Sequence, residues 1–377
     1  MDIAKNFLRK KCGEYTYLLP YGQAVVEQGR SVKLDAHATH LLDVLLEAKN
    51  VEEATQSLLS QGEMEADFRH LIATLEQAGA LSVDEEPQLS VREETMRFSI
   101  GGRRISFVGA PRYVARELLD FCVETSEDAP DGRFVLCGGN PPHHGMGEVL
   151  VHHEDLLILR EDAWLYYLYP NHRYLREMVM DVDGQVANAY LPFLDEDTPA
   201  VTAEIFLAMR QAFFYGAALA NRYAIHSASV LYEGKAYLFS GPSGMGKSTQ
   251  ANLWKQCFGT EIFNGDVNLV SIEADGAYVW GLPWNGTSGI YRDGRVPLGG
   301  IIYLRQSLEN QVEVPDAGDL VVATVQRLIS PTYTEGLYQK AFSFAKQLQG
   351  KIPMWRLYCN PTPQAAEIMK ECIDEYR

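Results

Sequence analysis

The chain is organised around the stretch Gly241-Pro242-Ser243-Gly244-Met245-Gly246-Lys247-Ser248, which Thr249 follows. Two glycines separated by four residues and followed by Lys-Ser fit the pattern of a phosphate-binding loop, or Walker A motif. Residues 236–240 have the composition of a buried strand, and residues 249–257 have the pattern of a helix. Because a strand, a loop and a helix in this order are the context that the motif needs, the stretch predicts a site for ATP or another nucleoside triphosphate.

Each residue type in this loop has a physical reason for its position. Glycines let the backbone turn sharply so that its N–H groups approach phosphate oxygens, and the N-terminus of the following helix adds partial positive charge. Lys247 would neutralise the β- and γ-phosphates, and the Ser248 hydroxyl would ligate Mg²⁺. The alternative is a glycine-rich turn with a chance lysine, which the predicted strand and helix disfavour.

The composition limits the class of protein and its expected partners. Of 377 residues, 46% are hydrophobic and 22% are charged, which is typical of soluble globular proteins of two or three domains. The net charge of −17 argues against general binding of nucleic acid or of an anionic membrane, since both need a basic surface. The six cysteines are scattered without a Cys-x-x-Cys pair, which is compatible with a reducing compartment.

No segment of the sequence is expected to enter a membrane. The first eleven residues lack an apolar run of signal-peptide length. The most apolar helix candidate, residues 203–220, carries Glu204, Arg210 and Gln211, which favour a buried core helix over a membrane span. We therefore predict a cytoplasmic protein, for which an oligomeric state is possible.

Residues 1–86 have the pattern of a small separate domain. The predicted elements are a hairpin of residues 15–19 and 24–27 around Pro20-Tyr21-Gly22, helices that begin after Asp35 and span 51–61 and 67–78, and a strand at 80–83. Asp35 is a candidate N-cap of the first helix, and Gly79 is placed to end the third.

This order of elements, with Leu34-Asp35 before the first helix and Gln77-Ala78-Gly79-Ala80-Leu81 after the third, resembles the PqqD family of peptide chaperones. The resemblance implies a winged-helix (α+β) module that binds the leader of a ribosomally made precursor peptide as an added strand. A DNA-binding winged helix is the alternative, but residues 1–86 contain 8 Lys and Arg against 15 Asp and Glu, a charge of −7. A purely structural helical cap is a further alternative.

Residues 87–92 are predicted to be a linker, because they continue a polar stretch without periodicity. Residues 93–200 are predicted to be rich in strands. The expected elements are a hairpin of residues 95–100 and 103–108, a helix at 112–122, and strands at 134–137, 149–152, 156–159 and 163–168.

The chemistry-bearing residues are concentrated after residue 200. Tyr223-Ala224-Ile225-His226-Ser227-Ala228-Ser229-Val230 precedes a turn and the strand that enters the phosphate-binding loop. Glu261-Ile262-Phe263-Asn264-Gly265-Asp266-Val267 is interpreted as a short strand that ends in an acid, the position of a Walker-B-type aspartate. Trp280-Gly281-Leu282-Pro283-Trp284-Asn285-Gly286 follows, and residues 296–304 have the pattern of a further strand.

These features resemble HPr kinase/phosphorylase and its relatives, in which a histidine precedes the hairpin that leads to the phosphate-binding loop and a Pro-Trp-Ser-Gly stretch follows. The resemblance covers about residues 201–377 and implies an α/β core of the phosphoenolpyruvate-carboxykinase type, with residues 93–200 as its β-rich N-terminal part. It implies that residues 241–249 bind the triphosphate, that Ser248 and Asp266 hold Mg²⁺, and that His226 lies beside the transferred phosphoryl group.

Together with a PqqD-like module, this arrangement resembles kinases of ribosomal peptide biosynthesis, including lasso peptide precursor kinases. The resemblance implies an ATP- and Mg²⁺-dependent kinase that phosphorylates a hydroxyl, with serine expected, on a precursor peptide. A nucleotide-binding peptide carrier and an ATP-sensing DNA-binding regulator are the alternatives.

One position departs from the family pattern. Members usually have two adjacent aspartates at the end of the strand, and here they are matched by Gly265 and Asp266. Either Asp266 serves both as metal ligand and as base, or His226 takes the proton, or nucleotide is bound without efficient transfer. Histidine is suited to act as a base near pH 7, although a hydrogen-bonded core histidine is the alternative.

Five further residues are candidate contacts of substrate or phosphate. Arg292 and Arg295 are predicted on a flexible loop from which they would stabilise negative charge, with a solvated turn as the alternative. Trp284, Asn285 and Gly286 are candidates to line the acceptor side, although the tryptophan would also suit the core. Scaffold is predicted after them, with helices at 319–329, 338–348 and 363–376, the last capped by Thr362, and a strand at 354–359.

Overall fold

The computed structural model describes residues 2–3, 7–20, 30–48, 51–82, 95–124, 129–139, 141, 147–191, 199–286 and 288–376. The chain divides into two compact units. The first comprises Met1–Ser90, Gly138–Glu148 and Leu159–Asp162, and the second comprises Val91–Cys137, Val149–Ile158 and Ala163–Arg377. The predicted linker at 87–92 lies outside the described residues, so the predicted domain boundaries stay predictions.

The described residues of the first unit form three helices and short strands. In chain order they are β1 (Asp2–Ile3), β2 (Phe7–Cys12), β3 (Tyr15–Pro20), β4 (Val32–Leu34), α1 (Ala36–Glu47), α2 (Val51–Ser60), α3 (Glu65–Gln77) and β5 (Leu81–Ser82). The helices form where the apolar periodicity predicts them, because each buries one face in a common core. The Asp35 carboxylate accepts a hydrogen bond from the Ala38 N–H at 2.8 Å, which confirms the predicted N-cap.

The small sheet of the first unit differs from the predicted hairpin. Strand β3 pairs with β2 and with β4, all antiparallel, whereas residues 21–29, which include the predicted turn and second strand, lie outside the described residues. Strand β2 escaped prediction because five of its six residues are exposed, which leaves no alternation of apolar residues. The returning strand β5 pairs with β1.

The next part of the chain, most of it in the second unit, forms an eight-stranded sheet in the order β6-β7-β8-β13-β12-β11-β10-β9. Its elements are β6 (Thr95–Ile100), β7 (Arg103–Val108), α4 (Arg116–Leu119), β8 (Gly132–Gly138), β9 (Glu148–His153), β10 (Leu156–Glu161), β11 (Trp164–Leu168), β12 (Glu177–Asp181) and β13 (Val186–Leu191). The helix predicted at 112–122 is wrong: a 3-10 turn and the four-residue α4 are separated by extended backbone at Val114 and Ala115.

Helix α5 (Pro199–Leu219) is the longest helix of the second unit and buries ten of its residues. Eight of them belong to a core that also contains side chains of the first large sheet and of the strands that follow α5. Among the helices described, none has the length and apolarity needed to cross a bilayer.

A second large sheet surrounds the phosphate-binding loop. The elements of this part are β14 (Arg222–Tyr232), β15 (Lys235–Ser240), α6 (Lys247–Phe258), β16 (Glu261–Ile262), β17 (Val267–Ile272), β18 (Ala277–Trp280), β19 (Arg295–Gln306), β20 (Gln311–Glu313), α7 (Ala317–Val325), α8 (Glu335–Gln349), β21 (Met354–Cys359) and α9 (Pro363–Glu375). The strand order is β15-β14-β17-β18-β19-β21-β20, and β15 also pairs in parallel with β19. The described protein is therefore mixed α/β with two large sheets.

Strand β14 changes its partner midway, and this change positions the site. Its first half pairs with β17 up to the pair His226 and Val267, and its second half pairs with β15 from the pair Ser227 and Ser240. His226 therefore lies beside both the end of β15 and the start of β17. The prediction that Asp266 ends a strand over 261–267 is wrong, because residues 263–266 are irregular and Asp266 precedes β17.

The predicted cap of the last helix is also wrong in detail. Helix α9 begins after Thr362, but the Thr362 side chain makes no capping hydrogen bond. Its hydroxyl instead donates to the side-chain oxygen of Asn360 and accepts from the side-chain amide of Asn310 at 3.3 Å.

Candidate functional site

The loop between β15 and α6 is open toward solvent. Gly244 and Gly246 have φ values of +75° and +96°, in the left-handed region that favours glycine. A Cβ on Gly244 would meet nothing within 4 Å. Among the described residues, no acceptor is found for the backbone N–H groups of Gly244, Gly246 and Lys247. Free donors at a helix N-terminus form a cradle that fits an anion such as a phosphate group.

Lys247 is the buried cation of this cradle. Its side chain is only 8% exposed, and its ammonium donates to the carbonyls of Gly241 and Pro242, each at 3.2 Å. Burial lowers the pKa of Lys247, the charge of Asp266 acts in the opposite direction, and that of Arg327 lowers it further. The ammonium is therefore held against the loop, near an acid and a second cation.

His226 and Asp266 form a hydrogen-bonded pair, with 3.2 Å between His226 Nε2 and Asp266 Oδ1. The strand register explains the contact: His226 pairs with Val267, and the Ser227 N–H donates to the Asp266 carbonyl at 3.0 Å. The structure thus brings together two sequence-predicted residues, His226 and Asp266, and the charge of a third, Lys247, acts on the same carboxylate.

The charge state of this pair follows from its surroundings. The hydrogen bond from His226 is the main cause that lowers the pKa of Asp266, and the charges of Lys247 and Arg210 add to it against the effect of burial. Asp266 is therefore ionised at neutral pH, and an ionised carboxylate only accepts hydrogen bonds. It follows that His226 Nε2 carries a proton and donates it to Asp266 Oδ1.

Gly265, the residue before Asp266, has no room for a side chain. Its N–H donates to the Ile290 carbonyl at 3.0 Å, and a Cβ on it would overlap the Ser288 side chain. The Ser288 hydroxyl in turn donates to the Asn285 carbonyl at 2.7 Å. The segment around Ser288 thus closes the place that a second carboxylate would need.

Gly286 lies directly against the other oxygen of Asp266. It has a φ of +59°, and a Cβ on it would overlap Asp266 Oδ2. Gly286 is exposed, so Oδ2 faces a surface position without a side chain. Asn285, the residue before it, is half-buried, and its amide donates to the Pro283 carbonyl at 3.3 Å. The segment of Asn285 and Gly286 therefore leaves the Asp266 carboxylate accessible from solvent.

Trp284 is a core residue rather than an exposed lining residue. It is 2% exposed, and its indole N–H donates to the Phe206 carbonyl on α5 at 3.0 Å. Its ring lies 5.7 Å from that of Phe206 and 5.0 Å from that of Phe213. Trp284 therefore anchors the Gly286 segment on α5.

The two arginines predicted on a flexible loop are engaged elsewhere. Arg292 forms an ion pair with Glu261 at 2.7 Å. Arg295 is the first residue of β19, pairs with Glu273 at 2.5 Å and lies 4.4 Å from the Tyr278 ring centre. Their predicted contact with phosphate stays a prediction, which would require these ion pairs to rearrange.

Two other arginines act on the site, although the sequence analysis did not select them. The charge of Arg210, on α5, lowers the pKa of Asp266, and that of Arg327 lowers the pKa of Lys247. The backbone carbonyl of Arg327 also accepts a hydrogen bond from the backbone N–H of His226 at 2.9 Å. The available signal for Arg210 was its place as a cation within the most apolar helix of the chain.

A buried polar network supports the segment before Asp266. The Ser229 hydroxyl donates to the Asn268 side-chain oxygen at 2.6 Å, and the Asn268 amide donates to the Ser227 carbonyl at 2.6 Å. The Asn264 N–H donates to the Ser229 hydroxyl at 3.0 Å. All four side chains are at most 2% exposed. These bonds satisfy the backbone where β14 changes partner and thereby fix the position of Asp266.

Comparisons with known proteins give little information about this chain. No family model matches it. No curated protein matches it. Among solved structures, it is similar to the HPr(Ser) kinase/phosphatase from Coxiella burnetii at 10% identity and a TM-score of 0.23, over 41% of this chain and 93% of that chain. A similarity at this level is too weak to define a common fold or family.

Proposed function

We propose that the protein is an ATP- and Mg²⁺-dependent phosphotransferase that phosphorylates a hydroxyl, expected to be a serine, of a ribosomally synthesised precursor peptide. One observation carries this proposal: an open cradle of free N–H donors with Lys247 lies beside an ionised carboxylate that His226 orients. Phosphoryl transfer depends mainly on positioning and on neutralising charge, and these residues supply both.

The residues fit the donor and its metal ion. The loop N–H groups and Lys247 would hold the β- and γ-phosphates of ATP. Mg²⁺ prefers oxygen ligands, and the exposed Ser248 hydroxyl and the Asp266 carboxylate supply them at this end of the cradle. When bound, Mg²⁺ would neutralise the oxygens of the transferred group.

The transfer step assigns a role to each oxygen of Asp266. The acceptor hydroxyl oxygen forms a bond to the γ-phosphorus, the bond from that phosphorus to the β–γ bridging oxygen breaks, and ADP leaves with the electron pair. The hydroxyl proton passes to Asp266. Because His226 already donates to Oδ1, Oδ2 beside Gly286 is the oxygen that faces the acceptor. This favours Asp266 as both metal ligand and base, with His226 as its positioning partner.

We infer that residues 1–86 recruit the peptide, as the resemblance to PqqD implies. The three-stranded sheet of β2, β3 and β4 supports this inference, because β2 pairs on one side only among the described residues and five of its six residues are exposed. An exposed strand edge accepts an extended peptide through backbone hydrogen bonds. A cytoplasmic location and the absence of nucleic-acid binding stay predictions from composition.

The proposal is tested by incubating the protein with ATP, Mg²⁺ and candidate precursor peptides encoded beside its gene. Mass spectrometry would then measure phosphate incorporation. We expect a phosphopeptide with the wild type and with Lys235→Ala, an exposed lysine at the other end of β15, and none with Lys247→Ala. Equal incorporation by wild type and Lys247→Ala would refute the assignment.

A second candidate is a nucleotide-responsive peptide carrier that transfers no phosphate. The observation that favours it is the closed space at Gly265, which leaves Asp266 without a neighbouring acid. This candidate predicts binding of ATP and Mg²⁺ without formation of ADP. A stoichiometric phosphopeptide in the experiment above would eliminate it.

A further inference from the structure

Arg210 is a cation without a direct partner. It is half-buried on α5, and among the described residues its guanidinium forms no hydrogen bond or ion pair. Although these nitrogens have no partner among the described residues, none of them is fully shielded from solvent. The guanidinium therefore keeps some access to solvent, although burial lowers its pKa, and up to five N–H donors are left for a ligand.

The packing of α5 directs Arg210 toward Asp266. Residues three or four apart lie on one face of a helix, so Arg210 shares a face with Phe206 and Phe213. Both of these rings pack against Trp284. The chain continues from Trp284 to Gly286, which lies against Asp266 Oδ2. Arg210 thus extends from the face of α5 that supports the carboxylate.

The separation between Arg210 and Asp266 is informative. Their charges interact, yet Asp266 forms its one described ion pair with His226 and none with Arg210. Because the Arg210 guanidinium forms no ion pair with Asp266, its planar set of N–H donors is free to bind the oxygens of a phosphate group. The charge of Lys247 acts on the same carboxylate, so a phosphoryl group bound beside Asp266 would be within the influence of two cations.

We propose that Arg210 binds the terminal phosphate of the nucleotide and is a further catalytic residue of the site. This inference rests on the proposed function. Arg210 would contact the γ-phosphate and release it to the acceptor, whereas the β-phosphate belongs to the loop and Lys247. Removal of Arg210 should therefore affect binding of a triphosphate and leave binding of a diphosphate unchanged.

The test compares two probes, ADP with Mg²⁺ and a non-hydrolysable imido analogue of ATP with Mg²⁺, by calorimetry on the full chain. For Arg210→Met, which keeps an apolar stem, we expect about 10- to 100-fold weaker binding of the ATP analogue and ADP binding within about twofold of the wild type. Arg210→Lys should lie between, because it keeps the charge but not the planar fork. Lys235→Met, with the same change of charge at an exposed position, should bind both as the wild type does.

The outcomes separate the inference from the function on which it rests. If the wild type binds the ATP analogue but Arg210→Met weakens both nucleotides equally, or neither, the inference is overturned and the proposed function survives. If the wild type binds neither nucleotide, the proposed function and the inference fail together. The thermal unfolding midpoint of each variant shows that it is folded. If Arg210→Met does not fold, Arg210→Lys decides: unchanged binding of the ATP analogue overturns the inference, and selective weakening supports it.

Discussion

The helical core of the first unit and the loop-bearing sheet of the second both bury apolar side chains, but the sheet adds a buried polar network next to Asp266. In the first, leucines such as Leu42 and Leu45 are fully buried at helical spacing. In the second, a network of buried serine and asparagine side chains fixes the segment before Asp266. Apolar burial depends on area and tolerates displacement, whereas hydrogen bonds specify position to a fraction of an ångström. The comparison teaches that the chain uses polar burial where chemistry needs precise placement.

The largest effect is expected from a deletion in the apolar core. Leu42→Ala should destabilise the first unit by about 2 to 5 kcal/mol, because it removes a fully buried side chain and leaves a cavity. Chemical denaturation measures this loss, and Leu59→Ala, at a half-exposed leucine of α2, is the matched control. Binding of the ATP analogue should be unchanged. A parallel loss of nucleotide binding would show that the comparison is wrong.

A somewhat smaller effect is expected from the polar network. Asn268→Ala removes the buried hydrogen bonds of this side chain to Ser227, Ser229 and Asn264, and each buried group left unpaired costs about 1 to 3 kcal/mol. Unlike Leu42→Ala, it should also lower phosphoryl transfer, because the network holds the segment that precedes Asp266. Denaturation and peptide phosphorylation are measured together, with the exposed Asn171→Ala as control. Destabilisation without any loss of transfer would limit the network to a structural role.

A third variant tests the closed position beside Asp266. Gly265→Ala should destabilise the protein by about 1 to 3 kcal/mol, since its Cβ would overlap Ser288. Ser288→Gly in the same chain should recover most of the loss. Gly336→Ala, where a Cβ meets nothing within 4 Å, is the control measured by the same denaturation assay. If Gly265→Ala leaves the free energy of unfolding unchanged, the segment around Ser288 moves readily and an acidic side chain would fit at position 265.

The smallest effect concerns pH. The folded-state pKa of Asp266 lies below 3.8, so its ionised form contributes stability that is complete above the unfolded value and is lost as the pH falls through the folded one. Relative to the wild type, Asp266→Asn should lower the unfolding free energy at pH 5, where the Asp266 carboxyl is ionised in both the folded and the unfolded protein. Below about pH 4 the difference should shrink. A difference that disappears already at pH 6 would place the carboxyl pKa above its usual range.

Much of the fold was accessible from local patterns. The helices around Leu42 and Phe68 and the capping role of Asp35 follow from apolar spacing and a single hydrogen-bonding side chain. Strand β2 and the broken segment at 112–122 were mispredicted, because an exposed edge strand has no alternation and short helical turns depend on tertiary contacts. The strand partners of β14 could not be predicted either, because pairing between residues that are distant in the sequence leaves no local pattern.

The sequence by itself determined the phosphate-binding loop and its immediate neighbours. The spacing of glycines, Lys247 and Ser248 acts over a few residues, so local geometry is sufficient to predict it. Only the tertiary structure decided that His226 bonds Asp266, that Ser288 closes the place beside Gly265, and that the charge of Arg210 acts on the same carboxylate. These relations join elements that are distant in the chain, and they depend on where β14 exchanges one strand partner for another.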